Sequence, residues 1–183
     1  HMAGEVNAAR RIQMGLLPDP HETLGEDRRF RISALLEPAR TVGGDFYDCF
    51  ALDGRHLFFV VADVSGKGLP AALFMASAKS ILKSAVLSRP RSLGEALARA
   101  QEEIRHENPE ALFVTACAGL LDLESGELEL ANAGHEPAWT HPPRGRPERL
   151  EPAGGPPLCV LDAFDYPSTR RRLASGEWLL VLS

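Results

Sequence analysis

Apolar residues recur with two different periods along this chain, and the change of period separates predicted helices from predicted strands. Residues 3–17 place apolar side chains among charged ones at helical spacing, and Pro18-Asp19-Pro20 ends that helix. Two more helical stripes run from Pro70 to about Leu87 and from Ser92 to Glu107. The first helix is predicted to bury an apolar stripe made of Val6, Ile12, Leu16 and Leu17.

Alternating or continuous apolar runs predict the strands, with a loop rich in Pro, Gly and Arg over 141–157. The last 18 residues predict a hairpin, 166–173 with 177–183, around Ala174-Ser175-Gly176. The predicted order of elements is one helix, several strands, two helices and then strands again. This order favours an antiparallel sheet covered by helices over a doubly wound parallel sheet. The earlier predicted strands are Phe30–Leu36, Asp45–Leu52, Arg55–Asp63, Phe113–Leu121, Glu127–Ala133 and Pro137–Thr140.

Asp53-Gly54 is a strong hairpin signal between two apolar runs. Folding the chain back there brings Asp45 and Asp63 to the same open end of the ribbon. Two carboxylates beside Gly43-Gly44 are a typical beginning of a site for a hard divalent cation. The simpler interpretation is that Asp63 caps the following helix and Asp45 is a solvated residue at a strand end.

The register of this hairpin decides between those interpretations. With a two-residue turn, Asp63 faces Gly44 and Asp45 faces Ala62, so the two carboxylates lie on opposite faces. They converge only with a bulge at Gly43-Gly44, a longer turn, or departure of Asp63 from the strand end. Asp48, three residues after Asp45, is expected on the other face.

Ser65-Gly66-Lys67-Gly68 resembles a phosphate-binding loop only superficially. The full motif needs Gly at position 61 and Ser or Thr after the lysine, where this chain has Val61 and Gly68. What remains is a glycine turn and a helix N-terminus that would favour an anion, or an ordinary strand-to-helix turn.

His135, in Asn132-Ala133-Gly134-His135, is a ligand, a general acid or a satisfied turn histidine, and no second histidine stands at ligand spacing.

Composition limits the classes of function. Net charge is −5, which argues against nucleic acid or an anionic membrane as partner, and no apolar run reaches the roughly 18 residues that cross a bilayer. Three cysteines, odd in number and far apart, fit reduced thiols of a cytoplasmic protein better than a disulfide frame. No Gly-x-Ser-x-Gly elbow supports a serine hydrolase.

Several stretches together resemble the metal-dependent serine/threonine protein phosphatases related to protein phosphatase 2C (PPM), in the bacterial RsbU/SpoIIE branch. The stretches that carry the resemblance are Ala9–Pro18, Val42–Asp48, Ala62–Gly68 with Ala71-Ala72, Phe113–Thr115, Asn132–His135 and Pro157–Val160. The resemblance implies an α+β fold, a four-layer αββα sandwich of two antiparallel sheets flanked by helices. It also implies hydrolysis of phosphoserine or phosphothreonine by water activated between two Mn²⁺ or Mg²⁺ ions.

Carried over by position, the resemblance makes Asp45 and Asp63 metal ligands and Val64 a ligand through its backbone carbonyl. Arg40 becomes a candidate for binding the substrate phosphate, with Gly44, Gly66 and His135 in supporting positions. The implied protein partner is a phosphorylated anti-sigma-factor antagonist, and the first helix is a candidate dimer contact.

His1-Met2 (1–2) is interpreted as a cloning remnant. The resemblance divides the rest of the chain into an N-terminal helix and linker (3–20) and a phosphatase domain (21–183). The family's later acidic ligands would fall beyond Ser183, so the domain is expected to be incomplete at its C-terminus. Two carboxylates cannot neutralise two divalent ions, and weak or single-site metal binding with poor activity is therefore expected. The alternative is a PPM-fold regulatory or binding domain that signals through its N-terminal helix without turnover.

Overall fold

A computed structural model of the chain describes residues 2–39, 41–151 and 153–183. The helices are α1 (Met2–Leu16), α2 (Pro20–Leu24), α3 (Gly68–Leu87) and α4 (Leu93–His106). The strands are β1 (Asp45–Ala51), β2 (His56–Val64), β3 (Val114–Asp122), β4 (Glu127–Ala133), β5 (Trp139–His141), β6 (Glu148–Arg149), β7 (Gly154–Gly155), β8 (Ser168–Arg172) and β9 (Trp178–Leu180). The predicted α+β class is confirmed.

The larger sheet holds β1, β2, β3 and β4 side by side in antiparallel order. The outer edge of β4 pairs with β8 antiparallel and with the two residues of β7 parallel. Alternate residues of the central strands, among them Phe46, Phe58 and Ala116, pack with α3 and α4 in the main apolar core. The helices therefore cover one face of this sheet, and the other face carries the remaining set of alternate side chains.

The smaller sheet pairs β5 with β6 on one side and with β9 on the other. Thr140 is buried on one face of β5, whereas Trp139 and its cross-strand partner Leu180 are exposed on the other. Within the described residues, the two sheets and the helices on the larger one correspond to three of the four layers that the resemblance implies. Within the described residues, the long helices α3 and α4 both contact the larger sheet.

The hairpin turn is one residue longer than the two-residue turn considered from the sequence. The Leu52 amide donates to the His56 carbonyl at 2.8 Å, which leaves three residues, 53–55, in the loop. The Asp53 carboxylate accepts hydrogen bonds from the Arg55 and His56 amides, both at 2.8 Å, and so closes this loop. The extra residue shifts the register so that Asp45 lies directly opposite Asp63.

Three predictions about strands are wrong. Phe30–Leu36 pairs with no strand among the described residues, and Leu35 is 83% exposed, so the alternation of apolar and polar residues did not make a strand here. The predicted terminal hairpin does not form, because β8 joins the larger sheet beside β4 and β9 joins the smaller one beside β5. The predicted loop 141–157 contains the short strands β6 and β7.

Helix α1 and Leu17 after it bury only part of the predicted stripe. Ile12 is 67% exposed and Leu16 is also exposed, whereas Gln13 and Leu17 are buried.

Helix α3 is long and apolar enough to cross a bilayer by length and composition alone. Its buried residues, including Met75, Ala78 and Leu82, pack in the main core, as is typical of a core helix.

Candidate functional site

Three polar residues form a row across the open end of β1, β2 and β3. Asp45 is the cross-strand partner of Asp63, and Asp63 is the cross-strand partner of Thr115. Paired residues of neighbouring strands point to the same face, so all three lie on the face opposite α3 and α4. Asp48 alternates to the helix face, where it approaches the Lys79 ammonium at 3.2 Å. The predicted convergence of Asp45 and Asp63 is confirmed, and the longer turn is its cause.

The electrostatics at this row favour an added positive charge. Burial raises the pKa of the Asp63 carboxyl, and the negative charge of Asp45 raises that pKa further. The Ser183 hydroxyl donates to Asp45 at 2.6 Å. Among the described residues no cationic side chain forms an ion pair with either carboxylate, and two facing carboxylates of this kind would be stabilised by a bound cation.

His135 extends the row beyond β3. Its Nδ1 lies 2.8 Å from the Thr115 hydroxyl, and its Nε2 lies 2.9 Å from the carbonyl oxygen of Leu182. Because a carbonyl can only accept, Nε2 carries the hydrogen and Nδ1 accepts from Thr115. Burial lowers the pKa of His135, which agrees with a neutral ring. His135 therefore joins β3 to the segment after β9, next to the aspartates.

The turn before His135 explains its position. The Asn132 side chain accepts from the His135 amide at 2.8 Å and donates to the His135 carbonyl at 3.0 Å. Gly134 has a positive φ of 63°, and a Cβ there would collide with the ring of Pro157. These contacts set the direction in which the imidazole leaves the end of β4.

Gly44 allows a close backbone approach beside the aspartates. The Val64 amide donates to the Gly44 carbonyl at 3.2 Å, and a Cβ on Gly44 would overlap the Val64 carbonyl oxygen. The Val64 carbonyl thus lies against the residue before Asp45. No other residue type fits at position 44 without moving one of the two backbones.

The loop after Val64 is fixed to the start of β3. Ser65 donates its amide to the Phe113 carbonyl and accepts the Phe113 amide at its hydroxyl, both at 2.8 Å. Gly66 has a positive φ of 94°, and a Cβ there would lie 3.7 Å from the Leu112 side chain. Lys67 is exposed. Gly66 therefore shapes the turn from β2 to α3. Arg40 lies outside the described residues.

The oxygen atoms at this end suit a hard divalent cation. Carboxylates and backbone carbonyls are the ligands that Mg²⁺ and Mn²⁺ take, and Asp45, Asp63 and Val64 supply these. Among the described residues there is no group of three or more His, Cys, Asp and Glu side chains placed to hold an ion. Two carboxylates balance the charge of one divalent ion, so this set fits one cation.

Sequence reasoning missed two residues that contact this end of the sheet. The position of Thr115 beside Asp63 follows only from the pairing of β2 with β3. A polar threonine in an otherwise apolar strand was the one indication of it in the sequence. Gln13 of α1 is buried and bonds to the backbone of Gly43. Gln13 lies seven residues after Val6 and four before Leu17, a spacing that places all three on one helix face. This spacing could have indicated from the sequence that Gln13 is buried.

Residues 53–183 match the family described as Stage II sporulation protein E (SpoIIE). The chain is 29% identical to protein IcfG of Synechocystis sp., covering 96% of this chain and 31% of that protein. It is 26% identical to the phosphoserine phosphatase RsbU of Bacillus subtilis, covering 98% of this chain and 52% of that protein. The chain thus spans about a third to a half of the length of these curated relatives.

The fold is similar to that of a solved phosphatase domain. The SiaA-PP2C domain of Pseudomonas aeruginosa superimposes with a TM-score of 0.78 and 25% identity, over 97% of this chain and 70% of that one. The similarity covers nearly all of this chain.

Proposed function

This chain belongs to the SpoIIE family, and we propose that it is a metal-dependent phosphatase domain acting on phosphoserine or phosphothreonine of a protein. The observation that carries the proposal is the direct cross-strand pairing of Asp45 with Asp63 on an open sheet end. The similarity to a protein named phosphoserine phosphatase supports the same chemistry.

The proposed roles follow from the positions of the side chains. Asp45 and Asp63 bind Mn²⁺ or Mg²⁺ through their carboxylates, and Val64 binds through its carbonyl. A bound ion of this kind supplies Lewis acidity, which polarises phosphoryl oxygens and makes water a better nucleophile. Gly44 lets the Val64 backbone approach the site closely, Gly66 shapes the turn after Val64 through its positive φ, and His135 orients Thr115 beside Asp63. Arg40 remains a proposed phosphate contact on the segment before Asp45.

The proposed substrate is a phosphorylated regulatory protein of the anti-sigma-factor antagonist type, on the strength of the similarity to RsbU. The free thiols of Cys49, Cys117 and Cys159 support a reducing compartment such as the cytoplasm. Ile12 and Leu16, exposed on α1, support this helix as a contact between two copies of the chain. The second candidate is a binding domain without turnover, and its support is the small number of carboxylates at the site.

The decisive experiment is Mn²⁺-dependent hydrolysis of p-nitrophenyl phosphate and of a phosphoserine peptide. We expect Asp63→Asn to reduce the rate to the uncatalysed level, because the substitution removes a ligand charge and keeps the side-chain shape. Asp165→Asn is the matched control, since Asp165 is an exposed aspartate outside the row.

Calorimetry with Mn²⁺ separates the two candidates. A phosphatase binds Mn²⁺ with a stoichiometry near one per chain and turns over both substrates. Binding without turnover favours the regulatory domain. Equal rates for Asp63→Asn and Asp165→Asn would show that the reaction occurs elsewhere.

A further inference from the structure

A cavity of about 380 Å³ lies where the loop between α3 and α4 meets the larger sheet. The ends of β2, β3, β4 and β8 form its other walls. His56, which lines the cavity, precedes Asp63 by seven positions on β2, or about 23 Å along an extended strand. The cavity is therefore remote from the proposed phosphatase site, and its volume is in the range of sites for small organic molecules.

Apolar side chains form a large part of the cavity wall. They are Leu52, Val86, Leu93 and Leu120. Leu120 is the cross-strand partner of Glu129, so the two side chains point to the same face of the sheet. Apolar walls with a few polar groups among them are the usual construction of a small-molecule site.

Glu129 brings a buried carboxylate to these apolar walls. It is 7% exposed, and its Oε1 accepts the Leu93 amide at 2.8 Å, at the start of α4. Its Oε2 accepts no hydrogen bond among the described residues, and the Arg170 Nη2 approaches it only to 3.9 Å. A buried carboxylate oxygen is stabilised by a hydrogen-bond donor, which a bound molecule would supply.

The charges around the cavity leave one negative charge in excess when His56 is counted as neutral. Three lining residues are paired with residues outside the cavity: Arg89 with Asp53, Arg91 with Glu95, and Asp122 with Arg55. Arg170 is then shared between Glu127, at 3.4 Å, and Glu129, at 3.9 Å. One guanidinium between two carboxylates favours the binding of a second cation.

We propose that this cavity binds a small organic cation, an ammonium or guanidinium group on an apolar body. The cationic group donates to Oε2 of Glu129, and the apolar body packs on the leucine and valine side chains of the wall. The inference goes beyond the proposed phosphatase function and does not depend on it, because the aspartate row lies at the other end of β2 and on the other face of the sheet.

The probe for this site is benzylammonium. Benzyl alcohol has the same ring without a charge, and benzoate has the same ring with the opposite charge. Two-dimensional amide NMR follows each titration, with the Leu93 amide as reporter because it is bonded to Glu129. We expect benzylammonium to bind at least about tenfold more tightly than benzyl alcohol, because hydrogen bonds between charged groups are the stronger ones. Tighter binding of benzoate, or no shift at Leu93 with benzylammonium, would overturn the proposal.

Glu129→Gln tests the carboxylate itself. The glutamine Oε1 still accepts the Leu93 amide, so the start of α4 is kept and the charge is lost. Benzylammonium should then bind about as weakly as benzyl alcohol. Glu110→Gln is the matched control and should keep the Kd of the parent protein, since Glu110 is exposed and outside the cavity. Equal Kd values for Glu129→Gln and the parent protein would contradict the role of Glu129.

Arg170→Gln keeps the inference testable if Glu129→Gln fails to fold. The Arg170 side chain is 60% exposed and competes with the ligand for the two carboxylates. Its removal should tighten benzylammonium binding several-fold. Arg172→Gln, at an exposed position on the same strand and outside the cavity, should leave the Kd unchanged. Unchanged or weaker binding in Arg170→Gln would show that the cation does not bind at these carboxylates.

Discussion

The space around single atoms of Gly43 and Gly44 determines the backbone geometry where β1 begins at Asp45. Gly44 has no side chain, and the Val64 carbonyl occupies the space that a Cβ would need. Gly43, its neighbour, has open space around the same position. The two adjacent glycines therefore differ in the room that a side chain would have, and they make a matched pair for experiment.

Gly44→Ala should destabilise the fold by about 1–3 kcal/mol, because the added methyl group forces two backbones apart. It should also weaken Mn²⁺ binding, since both Asp45 and Val64 adjoin the displaced peptide. Chemical denaturation and calorimetry measure the two effects. Gly43→Ala is the control and should change the free energy of unfolding much less. Equal effects of the two substitutions would contradict the close approach.

His135 predicts how stability depends on pH. Burial lowers the pKa of the folded-state imidazole below its ordinary value of 6.5, so the unfolded chain binds a proton more readily. This contribution to stability is fully present above the unfolded pKa of about 6.5 and is lost as pH falls from there through the lower folded-state pKa. The free energy of unfolding, measured by urea denaturation between pH 8 and pH 5, should therefore decrease more for the parent protein than for His135→Gln. Parallel pH profiles would show that another group is responsible.

At the scale of elements, α3 is held on β1 by a buried ion pair. Lys79 approaches Asp48 at 3.2 Å on the helix face of the sheet, and the Asp48 side chain is 4% exposed. Asp48 also accepts the Cys49 amide at 2.9 Å. The pair fixes α3 along the strand that carries Asp45, three residues from the site.

Lys79→Met should cost about 3 kcal/mol of unfolding free energy, because it leaves a buried carboxylate without its cation. Adding Asp48→Leu should recover most of that loss, since a well-packed apolar pair is often as stable as a buried ion pair. Urea denaturation of both single variants and the double variant gives the coupling energy. Additive effects would show that the two side chains do not interact.

For the whole molecule, an excess of negative charge and a pair of facing carboxylates should make stability depend on divalent metal. At a Mn²⁺ concentration 100 times the Kd, binding to the folded state alone adds about 2.7 kcal/mol. The melting temperature should rise with Mn²⁺, return on addition of a chelator, and stay constant in Asp63→Asn. A rise of equal size in Asp63→Asn would place the bound ion elsewhere.

Much of the architecture was predictable because its signals are local. Helical periods located α3 and α4 within one or two residues of most of their ends, and β4 has its predicted bounds, Glu127–Ala133. Asp53-Gly54 located the hairpin and thereby brought Asp45 and Asp63 to one end. The strand pairings of β8 and β9 were not predictable in this way, because each joins a sheet edge made by distant residues.

The amino-acid sequence by itself determined which segments fold into helices and strands and where the two aspartates come together, because periodicity and turn chemistry act between near neighbours. Whether the two carboxylates lie on the same face was decided only by the register of the folded hairpin. The run Leu57–Ala62 is apolar at every position, so it fits either register, and the three-residue loop closed by Asp53 selects one. Thr115 and Gln13 reach the same end through contacts between distant segments, which no local pattern encodes.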